Sequence, residues 1–236
     1  MPAFAAAHRG LSSEKAENTL AALGAAVAAG FPALEMDLRA TADGEVVVLH
    51  DADLDRTTDG HGRIETLTWR QLQDASTTDG PVPRLADLMS SLKAWDGLWN
   101  LEVKAKAALA PTLDLVRRNG LAGRALLSSM DVPILDEARG LAPEIPRGSI
   151  TLGPVDDADL AAAKAAKCSW INVDHDFLDP DEVVRLKAAG LRVGSWTVND
   201  VERALEVAGW GVECVITDER EVGAAVRGPA PKSWLA

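Results

Sequence analysis

The stretch Glu35-Met-Asp-Leu-Arg-Ala-Thr-Ala-Asp-Gly-Glu-Val-Val-Val-Leu-His-Asp51 reads as a strand, a tight turn and a returning strand. Asp43-Gly44 is the turn signal, because both residues tolerate the positive φ that a two-residue type I′ hairpin demands. Centring the turn there sets Ala42 opposite Glu45 and Thr41 opposite Val46. Counting outward, Asp37 then faces His50, with Glu35 two residues away on the same side. An edge hairpin with a solvated polar face would show the same pattern. Burying two carboxylates side by side, however, is costly unless a cation or a proton is shared between them. A metal site is therefore the expectation here.

Working outward, Phe4 to Ala7 is a short apolar strand ending in His8-Arg9-Gly10. Asn18 is a candidate N-cap for an Ala-rich helix over about 19–29, closed by Gly30. The strand over 32–37 follows, then the hairpin returning over 45–50. Asp51, Asp53 and Asp55 imitate the start of a calcium loop. Arg56 stands where that loop needs its glycine and Gly62 where it needs a bidentate glutamate, so an EF-hand is excluded. From Asp53 to Arg84 the chain is rich in Thr, Asp and Gly and reads as a long excursion with one short helix over 67–73. A helix over 85–94 and the strand Leu98-Trp-Asn-Leu-Glu-Val-Lys104 come next.

Beyond that point helices over 110–119, 131–140, 156–166, 180–189, 200–208 and 219–226 alternate with strands over 125–128, 147–150, 170–174, 191–197 and 213–217. This alternation predicts repeated βα units and a parallel sheet. Nine strands are counted in all. If the returning arm of the hairpin lies outside the barrel, eight remain, as a closed barrel requires. An open doubly wound sheet would carry a glycine-rich fingerprint after its first strand, and none is present. The expected fold is an α/β chain of (β/α)8 TIM-barrel type with a hairpin and loop excursion after the second strand. One domain is expected over residues 1–228, with the excursion at about 43–84 and a C-terminal tail over 229–236 that either extends free or docks through Trp234.

The 236 residues are 47% hydrophobic and 25% charged, which suits an ordinary globular protein rather than a disordered chain. A formal net charge of −12 argues against nucleic acid and anionic membranes as partners. Cys168 and Cys214 have no metal-ligand spacing and are expected as free thiols in a reducing compartment. Without a basic, apolar leader or a membrane-length run, a cytoplasmic location with no stable membrane anchoring is expected.

Barrel active sites lie at the carboxyl ends of the strands. The candidates there are His8 and Arg9, Glu35 and Asp37, and Glu102 and Lys104, with His50 arriving by the hairpin. Three carboxylates offer hard oxygen ligands, which suit Mg2+ or Ca2+ better than zinc. Arg9 and Lys104 beside such a cation make a pocket for a phosphoryl group; a simple Lys104–Glu102 ion pair is the plainer reading. His8 and His50 titrate near neutrality and flank the carboxylates, as a general acid and base would. His61 and His175 fall in loops. Trp196, at a strand end, is placed to pack against the apolar part of a substrate; the other tryptophans read as packing or surface.

The chain resembles the glycerophosphodiester phosphodiesterase family in the order and spacing of short motifs along nearly its whole length. These are His8-Arg-Gly10, Glu17-Asn-Thr19, Glu35-Met-Asp37, Thr41-Ala-Asp-Gly44, His50-Asp51, Leu54-Asp-Arg-Thr-Thr-Asp-Gly60, Glu102-Val-Lys104, Trp196-Thr-Val-Asn199 and Gly211-Val-Glu-Cys-Val-Ile-Thr-Asp218. The resemblance implies a barrel hydrolase that releases sn-glycerol 3-phosphate and an alcohol from a glycerophosphodiester, with a divalent cation, Mg2+ or Ca2+, and a place in lipid and glycerol metabolism. Carried onto this chain, Glu35, Asp37 and Glu102 are the metal ligands, His8 and His50 the acid/base pair, and Arg9 and Lys104 the phosphate contacts. The residues do not say which histidine is the acid, nor whether water or the substrate's own hydroxyl attacks. Two departures are Val82-Pro-Arg-Leu85, where Arg84 replaces the usual Thr, and a short excursion after His50. The expected assembly is a monomer or homodimer. The alternatives are a lysophospholipase D, which needs an apolar groove at the barrel mouth, a metal-dependent isomerase or aldolase barrel, and a catalytically silent glycerophosphodiester-binding barrel.

Overall fold

A computed structural model describes residues 2–229 and 231–235; Met1, Ala230 and Ala236, the last two in the expected tail, lie outside the described residues. The strands are β1 (Phe4–Ala7), β2 (Ala33–Ala40), β3 (Val46–Val48), β4 (Ser76–Thr77), β5 (Gly80–Pro81), β6 (Leu98–Val103), β7 (Ala125–Ser129), β8 (Arg147–Thr151), β9 (Trp170–Asp174), β10 (Arg192–Trp196) and β11 (Cys214–Thr217). Eight of them run parallel in the order β1-β11-β10-β9-β8-β7-β6-β2, and β1 also pairs with β2, closing the ring. The chain is thus a (β/α)8 barrel. The returning arm β3 pairs antiparallel to β2 outside it.

The helices are α1 (Leu20–Ala28), α2 (Trp69–Leu72), α3 (Leu85–Ser91), α4 (Leu109–Arg118), α5 (Val132–Leu141), α6 (Asp157–Ala165), α7 (Pro180–Ala188), α8 (Val201–Gly209) and α9 (Arg220–Ala225). From α4 onward each lies within one residue of its predicted bounds, and capping groups mark the starts of three of them: Asp156, Asp179 and Asp200 each accept a backbone N–H in the first turn of α6, α7 and α8. The N-cap of α1 is Thr19, which accepts from Ala22 N at 3.1 Å. Asn18, read from the sequence as that cap, instead turns its side chain into the barrel.

The expected hairpin register is one residue out. Leu38 faces Val48, Arg39 faces Val47 and Ala40 faces Val46, so Leu49 rather than His50 would stand opposite Asp37. The loop has three residues. Gly44 N donates to Thr41 O and Thr41 N to Glu45 O, and Gly44 takes the positive φ of 85°. The Thr41 side chain selects this turn, donating to Asp43 Oδ1 at 2.6 Å and accepting from Glu45 N at 3.0 Å. A one-residue slip reverses the faces of the returning strand. His50 still reaches the pocket because it lies beyond the end of β3, where Arg39 Nε holds its carbonyl at 2.8 Å. The excursion carries the short β4–β5 pair, which the sequence reading missed, and packs its own apolar cluster of Val47, Leu49, Leu54, Ile64, Leu72, Ala75 and Val82.

Strand alternation explains where polarity sits. On β2, Leu34, Met36 and Leu38 join the layer between barrel and helices, whereas Ala33 belongs to the separate apolar cluster inside the barrel. Glu35 and Asp37 share the parity of Ala33, and on β6 Asn100 and Glu102 share that of Leu98. The interior is therefore apolar at the amino ends of the strands and charged at their carboxyl ends. Trp234 seals the apolar end. Its ring lies 5.1 Å from that of Trp170 and 5.8 Å from that of Phe4, and its Nε1 donates to Trp99 O at 3.1 Å. Cys168 and Cys214 are free thiols.

Candidate active site

Parallel pairing of β2 with β6 sets Asp37 beside Glu102, with Glu35 one inward-facing step below. One oxygen from each of the three carboxylates lies within 4.8 Å of the others, and all three residues are buried. Among the described residues, Glu35 Oε1 has no hydrogen-bond partner. The Lys104 ammonium stands 2.6 Å from Glu102 Oε1 and 3.2 Å from Asp37 Oδ1, at ion-pair distance from both. Burial and the neighbouring Asp37 push the Glu35 carboxyl up to about 8, and the same two causes raise Glu102. Asp37 goes the other way: burial opposes ionisation, but Lys104, Arg9 and the Asn18 amide together hold its pKa below the ordinary carboxylate value. Three buried carboxylates in one cluster, with a single ammonium shared by two of them and two driven toward neutrality, fit a hard divalent cation of the magnesium or calcium type.

Arg9 adopts a left-handed backbone, φ 56°, uncommon for a non-glycine residue. That conformation lets its backbone N–H donate to Glu35 Oε2 at 3.0 Å while its guanidinium reaches Asp37 Oδ2 at 3.0 Å and Glu17 Oε1 at 3.0 Å. Gly10 follows because a Cβ there would stand 2.5 Å from the Ala22 backbone. Asn18, also left-handed at φ 61°, clamps Asp37 from both sides, donating Nδ2–H to Oδ2 at 2.8 Å and accepting the Asp37 N–H at 3.2 Å.

The two histidines are held alike. His8 Nδ1–H donates to Asp218 Oδ1 at 2.8 Å, and His50 Nδ1–H donates to Asp51 Oδ1 at 2.7 Å. A carboxylate only accepts, so each ring is fixed in the tautomer that leaves Nε2 free. His8 Nε2 lies 4.0 Å from Glu35 Oε2. Burial disfavours the charged form of His8, but the Asp218 hydrogen bond and Glu35 outweigh it and raise its pKa; for His50 burial prevails over Asp51 and lowers it. Asp218 is itself anchored by Ser12 Oγ at 2.5 Å and Asn199 Nδ2 at 2.7 Å.

His8, Arg9, Glu35, His50, Glu102, Lys104 and Trp196 all line one cavity of about 130 Å³, and Asp37 lies directly behind them. The opposite wall is apolar, built from Met130, Ile150, Leu152, Trp196 and Ile216. Trp196 is half-buried, its Nε1 donating to Asn172 O at 3.3 Å. His61 is exposed on the excursion beside Asp55, and His175 sits in a short turn after β9. Asp174, His175 and Asp176 form a second ligand-like group in the short turn after β9, where Asp174 Oδ1 accepts the Asp176 N–H. The residues missed by sequence reasoning as site members are Glu17, Asn18, Asp51 and Asp218. Their signal lay in the Glu-Asn-Thr, His-Asp and Ile-Thr-Asp motifs, which gave spacing without contacts.

Residues 8–222 match the model of the glycerophosphoryl diester phosphodiesterase family. A glycerophosphodiester phosphodiesterase of Caldanaerobacter subterraneus subsp. tengcongensis is 29% identical over 94% of this chain and 96% of its own. Among solved structures, an Oleispira antarctica phosphodiesterase in complex with the product sn-glycerol-3-phosphate superimposes with a TM-score of 0.89 at 28% identity, covering 95% of this chain and 97% of that one. A Thermotoga maritima glycerophosphodiester phosphodiesterase superimposes with a TM-score of 0.81 at 26% identity, covering 96% and 99%. With the barrel, the carboxylate cluster and the paired histidines in place, these matches make the chain an enzyme that belongs to the glycerophosphoryl diester phosphodiesterase family.

Proposed function

We propose that the protein hydrolyses glycerophosphodiesters to sn-glycerol 3-phosphate and an alcohol, in a reaction that depends on a divalent cation, Mg2+ or Ca2+. The observation that carries this reading is the convergence on one cavity of two imidazoles, each fixed through Nδ1 by its own carboxylate, with three buried carboxylates between them. The product seen with the Oleispira antarctica phosphodiesterase supports the same assignment. Glu35, Asp37 and Glu102 would hold the cation, which when bound supplies Lewis-acid polarisation of the phosphoryl oxygens.

Arg9 and Lys104 bind and orient the phosphate, their charges facing the oxygens that become more negative as the nucleophile adds. His50, kept neutral by burial, takes the proton of the attacking hydroxyl at Nε2. His8, whose Nδ1–H is held by the Asp218 carboxylate, gives a proton from Nε2 to the departing alkoxide. Such groups typically contribute about 10² to 10⁴ in rate each. The opposite pKa shifts of the two rings support this division of roles. The test is His50→Gln and His8→Gln in folded protein, with turnover of glycerophosphocholine and binding of sn-glycerol 3-phosphate measured in parallel. Turnover falls at least about 100-fold with binding kept; wild-type turnover in either variant overturns the assignment.

A second reading, the lysophospholipase D type of the same chemistry, is favoured by the cavity's apolar wall. Leu152 is 66% exposed and Met130 38% exposed at its rim, where a single acyl chain would find cover.

A further inference from the structure

Arg56 projects from the excursion, its side chain 49% exposed and outside the excursion's apolar cluster. It nevertheless makes four contacts with two carboxylates. Its Nε donates to Asp51 Oδ2 at 2.5 Å and its Nη2 to Asp51 Oδ1 at 3.2 Å; Nη2 also donates to Glu17 Oε1 at 2.7 Å and Nη1 to Glu17 Oε2 at 3.1 Å. Each of those carboxylates also accepts from a residue of the cavity. Asp51 accepts from His50, and Glu17 accepts from Arg9.

We propose that Arg56 is a positioning residue, a single guanidinium that ties the His50 arm of the site to the Arg9 arm by holding Asp51 and Glu17 together. This rests on the functional reading above. The guanidinium is half exposed and packs into no apolar cluster, so what its four contacts fix is the placement of the two carboxylates it joins. Asp51 and Glu17 arrive from different segments, the end of the hairpin and the loop before α1, and as like charges they would separate without a cation between them. A planar fork can hydrogen-bond two carboxylates at once; an ammonium on a flexible stem holds them with less direction. Separation would release the His50 ring to rotate and exchange tautomers, and would leave Glu17 free to draw Arg9 away from the phosphate.

The test compares Arg56→Gln and Arg56→Lys with wild type in the full chain at saturating cation, using Arg63→Gln as control, since Arg63 lies on the same excursion and its guanidinium pairs, among the described residues, with exposed Glu65 alone. Glycerophosphocholine turnover should fall between about 10- and 100-fold in Arg56→Gln, with partial recovery in Arg56→Lys, no change in Arg63→Gln, and a melting temperature within about 2 °C of wild type. Nitrogen-15 NMR of the histidine rings supplies a readout that a merely structural role would not move. His50, identified by loss of its signals in His50→Gln, should be the Nδ1–H tautomer in wild type and a mixture in Arg56→Gln. Unchanged turnover with an unchanged His50 tautomer overturns the proposal, as does an equal loss in the Arg63 control. If wild type turns over no glycerophosphodiester, the functional reading fails, and the tautomer comparison still decides the clamp.

Discussion

Glu35→Gln should make the metal-free protein more stable at alkaline pH while abolishing its activity. Burial and Asp37 carry the Glu35 carboxyl from 4.5 to about 8. In the unfolded chain the group ionises near 4.5, so over the window from about pH 4.5 to about pH 8 the folded state keeps a proton that the unfolded state has released. Stability is therefore full below the unfolded pKa and is lost as pH rises through the folded one. The span corresponds to a loss on the order of 5 kcal/mol by about pH 9. Glutamine keeps the shape and the oxygen that accepts the Arg9 N–H at 3.0 Å, but has no charge to bury. Urea denaturation in chelator should show the variant gaining on wild type steadily from about pH 5 to about pH 9 with an unchanged m-value. Adding Mg2+ or Ca2+ should restore wild type, by about 2.7 kcal/mol at a hundred times Kd, and leave the variant unmoved. A stability difference that is flat with pH, or a variant less stable than wild type throughout, would refute the view that the site stores carboxylate repulsion for a cation to relieve.

The pH profile of kcat/KM should be a broad bell, gained as the lowered His50 loses its proton and lost as the raised His8 does. Asp218→Asn removes the support of His8, so burial then dominates and the alkaline limb should move to lower pH, with a smaller maximum; a profile matching wild type counts against His8 as the acid. Trp234→Ala should destabilise by about 3–5 kcal/mol in denaturant titration, since it empties the sealed end of the barrel. Its kcat at room temperature should stay near wild type, because the site is at the other end. Leu152→Asp should depress turnover of a monoacyl glycerophosphodiester more than that of glycerophosphocholine, and equal effects on both would remove the support for an acyl subsite.

The barrel was legible because apolar strands and capped helices alternate at regular spacing, and each cue is local: Asp156, Asp179 and Asp200 announce helices from within one turn. Glu35, Asp37, Glu102 and Lys104 were legible for a related reason, since alternate residues at the carboxyl end of a strand share a face. What failed was the hairpin register, where Asp43-Gly44 suggested a two-residue turn while the Thr41 hydroxyl stabilised a three-residue one. The outer ring was not legible in principle. Asp218 meets His8 across 210 residues and Arg56 meets Glu17 across 39, pairings that no local pattern encodes. Trp234 is similar: an indole in a proline-rich tail does not reveal the aromatic pocket of Phe4 and Trp170 that receives it.

The most direct test of the central claim is enzyme-coupled detection of sn-glycerol 3-phosphate from glycerophosphocholine, given to purified protein with magnesium, with calcium and with chelator. The account predicts release with at least one of the cations and none in chelator. Release that is indifferent to chelator would contradict the role given to Glu35, Asp37 and Glu102, and no release from folded protein with either cation would contradict the proposed reaction.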